Sequence, residues 1–252
     1  MAKTITLSVV IPAYNEADNF HNGKLSDVDT YLTKQTYAWE VIVVDDGSTD
    51  NTADLVEDWI NNKPGWKLIR NKHAGKSKTV ETGMKKATGK VRLFTDFDQA
   101  TPIYEVTKVL DKVEQGADIV IGSREGEGSS REEEPLLRHV MGRVFNLLVQ
   151  IIALHGINDS QCGFKAFSAQ ATEDLFNRMI VYKNRVVADA YTGAFDVELL
   201  FLARKSGYKI SQIPVTWKYV NSSRVSPAKD SLRMLWDILK IRWAYLLGKY
   251  KK

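Results

Sequence analysis

Two aspartates separated by one residue are the strongest sign of chemistry in the sequence. Asp96 and Asp98 directly follow the apolar run Val91–Thr95. At a strand end both carboxylates can face one small hard cation, and Mg²⁺ is usually held by one or two carboxylates together with substrate phosphates. The pattern therefore predicts a site for Mg²⁺ or Mn²⁺ that a bound diphosphate completes. The alternative is that the two aspartates only cap the turn that begins near Pro102.

Polar and aromatic side chains also follow the apolar runs Leu7–Ile11 and Trp39–Val44. Carboxylates there can accept hydrogen bonds from a base or a ribose hydroxyl, and the ring of Tyr14 can lie against a base. For the acidic residues of the segment Asp45–Asp50, turn and helix-cap chemistry is the alternative. Lys76, at a predicted helix start, either approaches a phosphate or stays solvated. Together these residues predict a nucleotide site beside the aspartate pair.

The loops that carry these candidates belong to a predicted α/β fold. The apolar runs, together with Lys67–Ile69 and Asp118–Ile121, alternate with stretches of helical spacing such as Leu55–Ile60. Continuous apolar strands separated by amphipathic helices predict a mostly parallel sheet that is flanked by helices and buried on both faces. In such sheets ligands bind beyond the carboxyl ends of the strands, which is where the candidates fall.

The second half of the chain is less regular. Residues 122–135 are rich in Gly, Ser and charge, and we expect a mobile loop there. The segment Arg138–Ile157 predicts one long apolar helix. Strand and helix patterns then resume in the segments Gly163–Phe167, Phe195–Lys205 and Ile210–Trp217.

The composition of the chain excludes several classes of protein. Its 252 residues are 44% hydrophobic and 26% charged, as in a globular protein with a substantial core. The net charge of +4 is too small and too dispersed to predict a nucleic-acid partner, although it suits a partner that carries phosphate. The lone Cys162 excludes an internal disulfide. We find no signal peptide and no apolar run long enough to span a bilayer, and we therefore expect a cytoplasmic protein.

The order and spacing of the motifs resemble glycosyltransferase family 2. The matching motifs are VVIPAYNE, VIVVDDGSTDNT, N-x-x-x-G-K-S from Asn71 and LFTDFDQAT, which cover the chain up to Thr101. The resemblance implies a GT-A fold, which is the Rossmann-like fold of nucleotide-diphospho-sugar transferases. It also implies that Asp96 and Asp98 approach the diphosphate and its metal ion. The resemblance also places several of the candidates in the nucleotide pocket. The expected nucleotide- and cofactor-binding residues are Pro12, Tyr14, Glu16, Asp45, Asp46, Lys76 and Asp96.

The second half is similar to the polyprenyl-phosphate sugar transferases within that family. The motifs that carry this similarity are GSR from Gly122, DSQCGFK from Asp159 and FDVELL from Phe195, in the order found in dolichyl-phosphate β-glucosyltransferases. The resemblance implies transfer of a hexose, with glucose from UDP-glucose expected, to a polyprenyl or dolichyl phosphate. Ala100 stands where the mannosyl branch has a third metal-binding Gln, which disfavours a mannosyl-type metal site.

The expected reaction requires stabilisation of the departing diphosphate as the anomeric carbon gains cationic character. A lipid phosphate is already anionic at about pH 7, because its second ionisation lies at about pH 6, so no general base is essential. We expect Arg124 and Arg131 to direct this acceptor in one displacement that inverts the sugar. For both arginines the alternative is ordinary surface salt bridging with Glu132–Glu134. Asp159 and Asp196 are possible bases. The catalytic candidates are Asp98, Arg124, Arg131 and Asp159.

The last segment of the chain predicts an amphipathic helix. Apolar residues recur in steps of three and four between Leu232 and Leu246, and Asp237 falls on the opposite, polar side. The helix either packs on its own domain or, with its tryptophans and the basic end Lys249–Lys252, lies on an anionic membrane surface. The stretch Val144–Leu154 is a second candidate for membrane contact. We therefore expect peripheral attachment to the cytoplasmic face of a membrane.

These patterns divide the chain into a GT-A domain over residues 1–220 and an amphipathic helical segment over residues 221–252. Within the domain, residues 1–101 are expected to bind the nucleotide sugar and residues 102–220 the acceptor. Two alternatives stay open. The first is a family member that uses GDP-mannose or a soluble acceptor, and the second is a non-catalytic homologue that only binds a nucleotide.

Overall fold

The computed structural model describes residues 4–132, 136–183, 193–220 and 227–250, and their centre is one seven-stranded sheet flanked by helices. Its strands are β1 (Leu7–Ala13), β2 (Trp39–Asp45), β3 (Trp66–Arg70), β4 (Val91–Thr95), β5 (Ile119–Ser123), β7 (Phe164–Ser168) and β8 (Ile210–Pro214). A separate parallel pair consists of β6 (Ser130–Glu132) and β9 (Thr216–Lys218). The helices are α1 (Ala17–His21), α2 (Lys24–Leu32), α3 (Thr52–Ile60), α4 (Lys76–Lys86), α5 (Val106–Glu114), α6 (Leu136–Ile152), α7 (Ala169–Arg178), α8 (Phe195–Lys205) and α9 (Pro227–Leu246).

The apolar runs form strands because the sheet buries them on both faces. In β1 the side chains of Val9 and Val10 belong to different core clusters, and neither is exposed. The runs predicted as strands up to Ile121 form β1 to β5, with ends that differ from the prediction by at most two residues. The predicted α/β architecture with a mostly parallel sheet is confirmed.

One strand reverses the parallel order of the sheet. The strand order is β3-β2-β1-β4-β7-β5-β8, and β7 runs antiparallel to both of its neighbours, β4 and β5. Phe164, the first residue of β7, pairs with Thr95, the last residue of β4. The loop that precedes β7 therefore lies at the same sheet edge as the carboxyl ends of β4 and β5. This arrangement brings residues from the second half of the chain to the aspartate pair.

The segment of residues 122–135, expected to be a mobile loop, contains the short strand β6. Arg131 pairs in register with Trp217 of β9, and the N–H of Ser130 donates to the carbonyl oxygen of Val215 at 3.2 Å. Backbone pairing thus orders residues whose composition alone indicates a loop. Residues 133–135 lie outside the described part of the chain.

Helices α6 and α9 pack against each other and leave apolar side chains exposed. On α9, Ile238 and Ile241 are buried in the core. Asp237 is buried too, so its predicted place on a polar side is wrong; its Oδ2 accepts a hydrogen bond from Oη of Tyr182 at 2.6 Å, which allows the burial. A second face of the helix pair is exposed, and we call it the α6–α9 apolar face. It consists of Val140, Val144, Leu147, Leu148 and Ile151 of α6 and Leu232, Trp236, Leu239, Trp243 and Leu246 of α9.

Neither helix is a membrane span. Over the residues that the structure describes, no helix is long and apolar enough to cross a bilayer.

A buried carboxylate on α8 fixes two distant segments. Glu198 is completely buried and accepts hydrogen bonds from the N–H groups of Ile180, Val181 and Tyr182 at 2.7, 2.8 and 3.1 Å. It also accepts from Oη of Tyr250 at 2.7 Å. Four donors, of which those of Tyr182 and Tyr250 are buried, therefore depend on one side chain for their partners.

We expect Glu198→Ala to lower the free energy of unfolding by at least about 3 kcal/mol, because four hydrogen bonds are lost at once, each typically contributing about 0.5–1.5 kcal/mol, and the freed donors of Tyr182 and Tyr250 stay buried. Urea denaturation measures this loss. The matched control is Glu57→Ala, which removes an exposed carboxylate paired with Arg70 and should change stability little. A loss below about 1 kcal/mol for Glu198→Ala would contradict the anchoring role.

Candidate active site

The chain turns sharply after β4, and this turn holds the aspartate pair. Gln99 has a φ of 50°, a left-handed backbone that is uncommon for a residue with a side chain. Its N–H and its Nε2 both donate to the carbonyl oxygen of Asp96, at 3.2 and 2.8 Å. Asp98 Oδ1 accepts from the N–H of Ala100 at 2.9 Å. The turn thus keeps two half-buried carboxylates side by side at the edge of the sheet.

Burial and like charge act together on Asp98. Burial makes the largest contribution, the charge of Asp96 adds to it, and together they raise the pKa of Asp98 to about 6. Glu16 contributes further negative charge, and Lys76 opposes it. A divalent cation would remove this repulsion, so the pair fits Mg²⁺ or Mn²⁺.

The protein supplies few donors for such a cation. Within the described ranges, no group of three or more His, Cys, Asp or Glu side chains is arranged to hold a metal ion. The carboxylates of Asp96 and Asp98 would therefore need donors from a ligand, as the sequence pattern indicates.

Gly163 leaves the space that Asp96 occupies. A Cβ atom at this position would lie 1.9 Å from Oδ2 of Asp96, which is far inside contact distance. Gly163 immediately precedes β7, and the antiparallel pairing of β7 with β4 places it beside the aspartate. Any side chain at residue 163 would displace Asp96.

The ammonium group of Lys76 is bound to Asp96, the first carboxylate of the pair. Lys76 begins α4, and its Nζ lies 2.5 Å from Oδ1 of Asp96. Burial lowers the pKa of Lys76, but the carboxylates of Asp96, Asp196 and Asp98 outweigh it and raise the pKa overall. The predicted phosphate-binding lysine therefore keeps its charge and lies within the site.

Asn15 ties together the loops that follow β1 and β2. Its Oδ1 accepts from the N–H groups of Thr49 and Asp50 at 2.8 and 3.3 Å, and its own N–H donates to Oγ of Ser48 at 2.9 Å. Its φ of 54° is also left-handed. In the part of the chain that is described, Asn15 and Gln99 are the only non-glycine residues with positive φ. Both border the candidate site, and such strained backbone clusters at functional sites.

The two acids after β2 bind backbone groups. Asp45 accepts from the N–H groups of Gly47 and Ser48 at 3.0 and 3.2 Å, the turn chemistry given above as the alternative. Asp46 is buried and accepts from the N–H groups of Ala74 and Gly75 at 3.0 and 2.9 Å. These bonds fix the loop that leads into α4 and therefore the start of Lys76's helix.

The remaining nucleotide candidates lie close to these acids. Tyr14 stacks on His73 with the ring centroids 4.4 Å apart, and Nδ1 of His73 lies 2.9 Å from Oδ2 of Asp46. Glu16 Oε2 accepts from Nδ2 of Asn19 at 2.5 Å. Pro12 belongs to β1. All the predicted nucleotide residues thus lie at the edge where β1, β2 and β4 end.

A second cluster surrounds Arg124 at the end of β5. Its Nε and Nη2 donate to the two carboxylate oxygens of Asp159 at 2.6 and 2.9 Å, and its guanidinium lies 5.2 Å from the ring centroid of Trp217. Burial opposes ionisation of Asp159, but the charge and hydrogen bonds of Arg124 hold the pKa of Asp159 well below its usual range. The geometry therefore suits Asp159 to orienting Arg124 better than to accepting a proton.

Arg131 joins this cluster through Glu125. Arg131 and Arg143 bind the two carboxylate oxygens of Glu125, and Nε of Arg131 donates to the carbonyl oxygen of Arg124 at 3.2 Å. Glu125 is therefore an acidic partner of Arg131. Of the acids Glu132–Glu134 that the alternative names, the last two lie outside the described residues. Arg143 belongs to α6, so this cluster extends to a helix of the α6–α9 apolar face.

A buried ion pair lies between the two clusters. Lys165 of β7 is completely buried; its Nζ lies 2.5 Å from Oδ2 of Asp196 and also donates to the carbonyl oxygen of Cys162. The charge of Lys165 helps to lower the pKa of Asp159, and that of Asp196 helps to raise the pKa of Lys76. From the sequence, Asp196 is only a possible base, and Lys165 has no predicted role. Lys165 and Asp196 each stand in an otherwise apolar segment, and charged residues are rarely buried unless they are paired. This pattern is the sequence signal that could have indicated the ion pair.

Comparison with known proteins decides the family. The chain matches the Glycosyl transferase family 2 profile over residues 8–176, which include both aspartates, Arg124 and Gly163. The chain belongs to glycosyltransferase family 2. Curated relatives of this family 2 member include the dolichyl-phosphate β-glucosyltransferases of Dictyostelium discoideum and Saccharomyces cerevisiae, each 34% identical over 98% of this chain and 77% of the relative. The human dolichyl-phosphate β-glucosyltransferase is 32% identical over 98% of this chain and 78% of its own length.

Solved structures share the fold of this family 2 chain. Mannosyl-3-phosphoglycerate synthase from Rubrobacter xylanophilus superposes with a TM-score of 0.66 at 16% identity, covering 98% of this chain and 76% of that one. Glucosyl-3-phosphoglycerate synthase from Mycobacterium tuberculosis, solved with Mn²⁺, UDP and glucosyl-3-phosphoglycerate, gives a TM-score of 0.61 at 17% identity, covering 95% and 80%. The predicted GT-A fold is confirmed.

We expect Gly163→Ala to abolish binding of UDP with Mn²⁺ while the protein stays folded, because the new Cβ would push Asp96 out of place. Isothermal titration calorimetry measures the binding, and circular dichroism measures the fold. Gly142→Ala is the matched control, since no atom lies within 4 Å of a Cβ at that position. Unchanged binding by Gly163→Ala would show that the position of Asp96 does not matter for the ligand.

The raised pKa of Asp98 predicts a stability that depends on pH. The pKa of Asp98 is about 4 in the unfolded chain and about 6 in the folded protein. As the pH rises through this range, the carboxyl ionises more readily in the unfolded chain, so the free energy of unfolding falls. In EDTA, Asp98→Asn should therefore be more stable than the wild type by on the order of 1 kcal/mol at neutral pH, with the difference vanishing towards pH of about 4.

Thermal denaturation across this pH range tests the prediction about Asp98. The exposed aspartate Asp58 provides the control variant Asp58→Asn, for which no such trend is expected. A variant Asp98→Asn that is less stable than the wild type at neutral pH would contradict the prediction, because burial and the charge of Asp96 would then not disfavour the ionised carboxyl.

Proposed function

We propose that this family 2 chain transfers glucose from UDP-glucose to a polyprenyl phosphate such as dolichyl phosphate, with inversion at the anomeric carbon. The observation that carries the proposal is the presence of a carboxylate pair and an arginine cluster at one edge of one sheet. A carboxylate pair suits a cation with a diphosphate, and arginines suit a phosphate acceptor. The named activity of the curated relatives supports this choice of donor sugar and acceptor.

On the donor side, Asp96 and Asp98 would hold Mg²⁺ or Mn²⁺, which stabilises negative charge on a departing diphosphate. Asp45 and Tyr14 are proposed to contact the nucleoside from the loops after β1 and β2. Asp46 is proposed to act indirectly, because it fixes the loop that precedes Lys76. Lys76 contributes a positive charge beside the pair.

On the acceptor side, Arg124 and Arg131 are proposed to bind the lipid phosphate. Asp159 holds the guanidinium of Arg124 in one orientation, and Glu125 does the same for Arg131. A phosphate monoester is anionic at about pH 7 and attacks without giving up a proton, so the reaction needs no general base. The low pKa of Asp159 agrees with such a mechanism.

The α6–α9 apolar face is proposed to rest on the cytoplasmic side of a membrane. Trp236 and Trp243 are 61% and 66% exposed, and Ile151 on the neighbouring helix is 73% exposed. Exposed tryptophans and aliphatic side chains on one helical face suit the interface of a bilayer. Lys249 is exposed near the end of α9, whereas Lys251 and Lys252, predicted to add positive charge, lie outside the described residues. Arg143 connects this face to the arginine cluster.

Incubation with a mixture of nucleotide sugars and a short polyprenyl phosphate, followed by mass spectrometry of the lipids, tests the reaction. We expect polyprenyl phosphoglucose with Mg²⁺ or Mn²⁺ present, and at least a 100-fold loss for Asp98→Asn, a size typical for lost transition-state charge stabilisation. Asp58→Asn is the control. A mannosylated lipid would favour the GDP-mannose alternative, and no product from any donor would favour a non-catalytic homologue.

The double variant Trp236→Ser/Trp243→Ser tests the membrane contact. Because both side chains are exposed, the fold should survive, whereas removal of α9 would expose the core around Ile238. We expect binding to anionic vesicles and transfer to a long-chain lipid phosphate to fall by about 10-fold or more, since each buried aromatic contributes roughly 1.5–3 kcal/mol. Transfer to a short water-soluble analogue should stay unchanged. Tyr104→Ser, a similar exposed change elsewhere, is the control.

A further inference from the structure

One carboxylate oxygen beside the Lys76–Asp96 ion pair lacks a partner. Asp196 lies in the first turn of α8, and its Oδ2 is bound by Lys165 at 2.5 Å. Its Oδ1 is buried and has no hydrogen-bond partner among the residues that the structure describes. Buried polar atoms are nearly always hydrogen-bonded, and an exception calls for an explanation.

Lys76 occupies an oxygen that a cation would need. Its Nζ lies 2.5 Å from Oδ1 of Asp96, the aspartate that Gly163 also confines on its other oxygen. An ammonium group and a divalent cation repel each other strongly at such distances. Lys76 in its present position would therefore weaken the binding of a cation at Asp96 and Asp98. Tight binding requires Lys76 to leave that position.

We propose that Lys76 has two alternative partners: it binds Asp96 in the free protein and moves to Oδ1 of Asp196 when a divalent cation and a diphosphate occupy the aspartate pair. The inference rests on the proposed function, because it assumes a cation site at Asp96 and Asp98. Asp196 is in this scheme a positioning residue that acts through Lys76.

The surroundings of Asp196 suit it to this task. Lys165 is completely buried and is also bound to the carbonyl oxygen of Cys162, so Asp196 is held in place through Oδ2 while Oδ1 is left over. Lys76 is the first residue of α4, its side chain has four rotatable bonds, and the charge of Asp196 already acts on it in its present position.

The same contacts allow a purely structural role for Asp196, in which it only neutralises Lys165. The two roles differ in their dependence on Lys76. If Asp196 receives the displaced ammonium group, its removal weakens cation binding only while Lys76 is present. If it only neutralises Lys165, the identity of residue 76 makes no difference.

A double-mutant cycle on the full chain tests the proposal. Binding of Mn²⁺ is measured by electron paramagnetic resonance, with and without UDP, for the wild type, Lys76→Met, Asp196→Asn and the double variant. We expect Asp196→Asn to weaken binding of Mn²⁺ with UDP by about 10-fold, and by less than about 2-fold when Lys76→Met is also present. Lys76→Met alone should strengthen binding of Mn²⁺ without UDP. Lys78→Met, which removes a lysine that binds Glu81 on the same helix, is the control.

Equal losses for Asp196→Asn in both backgrounds, or no loss in either, would overturn the proposal. If Asp196→Asn does not fold, because Lys165 is left buried beside an amide, Lys165→Met/Asp196→Asn takes its place and Lys165→Met becomes the reference. If the folded wild type binds UDP and Mn²⁺ but the cycle shows no coupling between Lys76 and Asp196, only this inference is overturned. A folded wild type that binds neither ligand overturns the proposed function as well.

Discussion

Two carboxylates of like charge, held side by side after β4, are the constraint on which the candidate site depends. Lys76 neutralises part of the charge of Asp96, Gly163 leaves space for that side chain, and the left-handed backbone of Gln99 keeps the turn closed. Burial and the repulsion that remains together raise the pKa of Asp98. Stability of the free protein and readiness for a cation therefore oppose each other here, as is common where a fold maintains a binding site.

Helix α8 connects this site to the surface helices. Asp196 and Glu198 are two positions apart, so they lie on different sides of α8 and bind different parts of the protein. At the start of α8 the N–H of Ala194 donates to Oη of Tyr182 at 2.6 Å, and this hydroxyl in turn donates to Asp237 of α9. The helix that carries half of the α6–α9 apolar face and the helix that holds Asp196 are thus joined by buried polar contacts.

Sequence patterns predict the features that depend on local hydrophobicity. Val91–Thr95 has its predicted bounds because a strand buried on both faces requires a continuous apolar run. The direction of β7 was not predicted, since strand order depends on contacts between distant segments. The pair Lys165–Asp196 was missed for the same reason: its members are 31 positions apart, and each charge is acceptable only beside the other. Asp237 shows the converse, because a partner on another segment buries a residue that helical periodicity places in solvent.

The position of β7 also affects how the chain folds. In the described sheet β5 pairs only with β7 and β8, which both follow it in the chain. Strands β1 to β4 can associate as soon as they are synthesised, whereas β5 must wait for Phe164, 41 positions after Ser123. During that interval β4 is an open edge whose backbone groups can pair with another chain. The nascent chain is therefore most exposed to aggregation, and most in need of a chaperone, after β4 has left the ribosome and before β7 has.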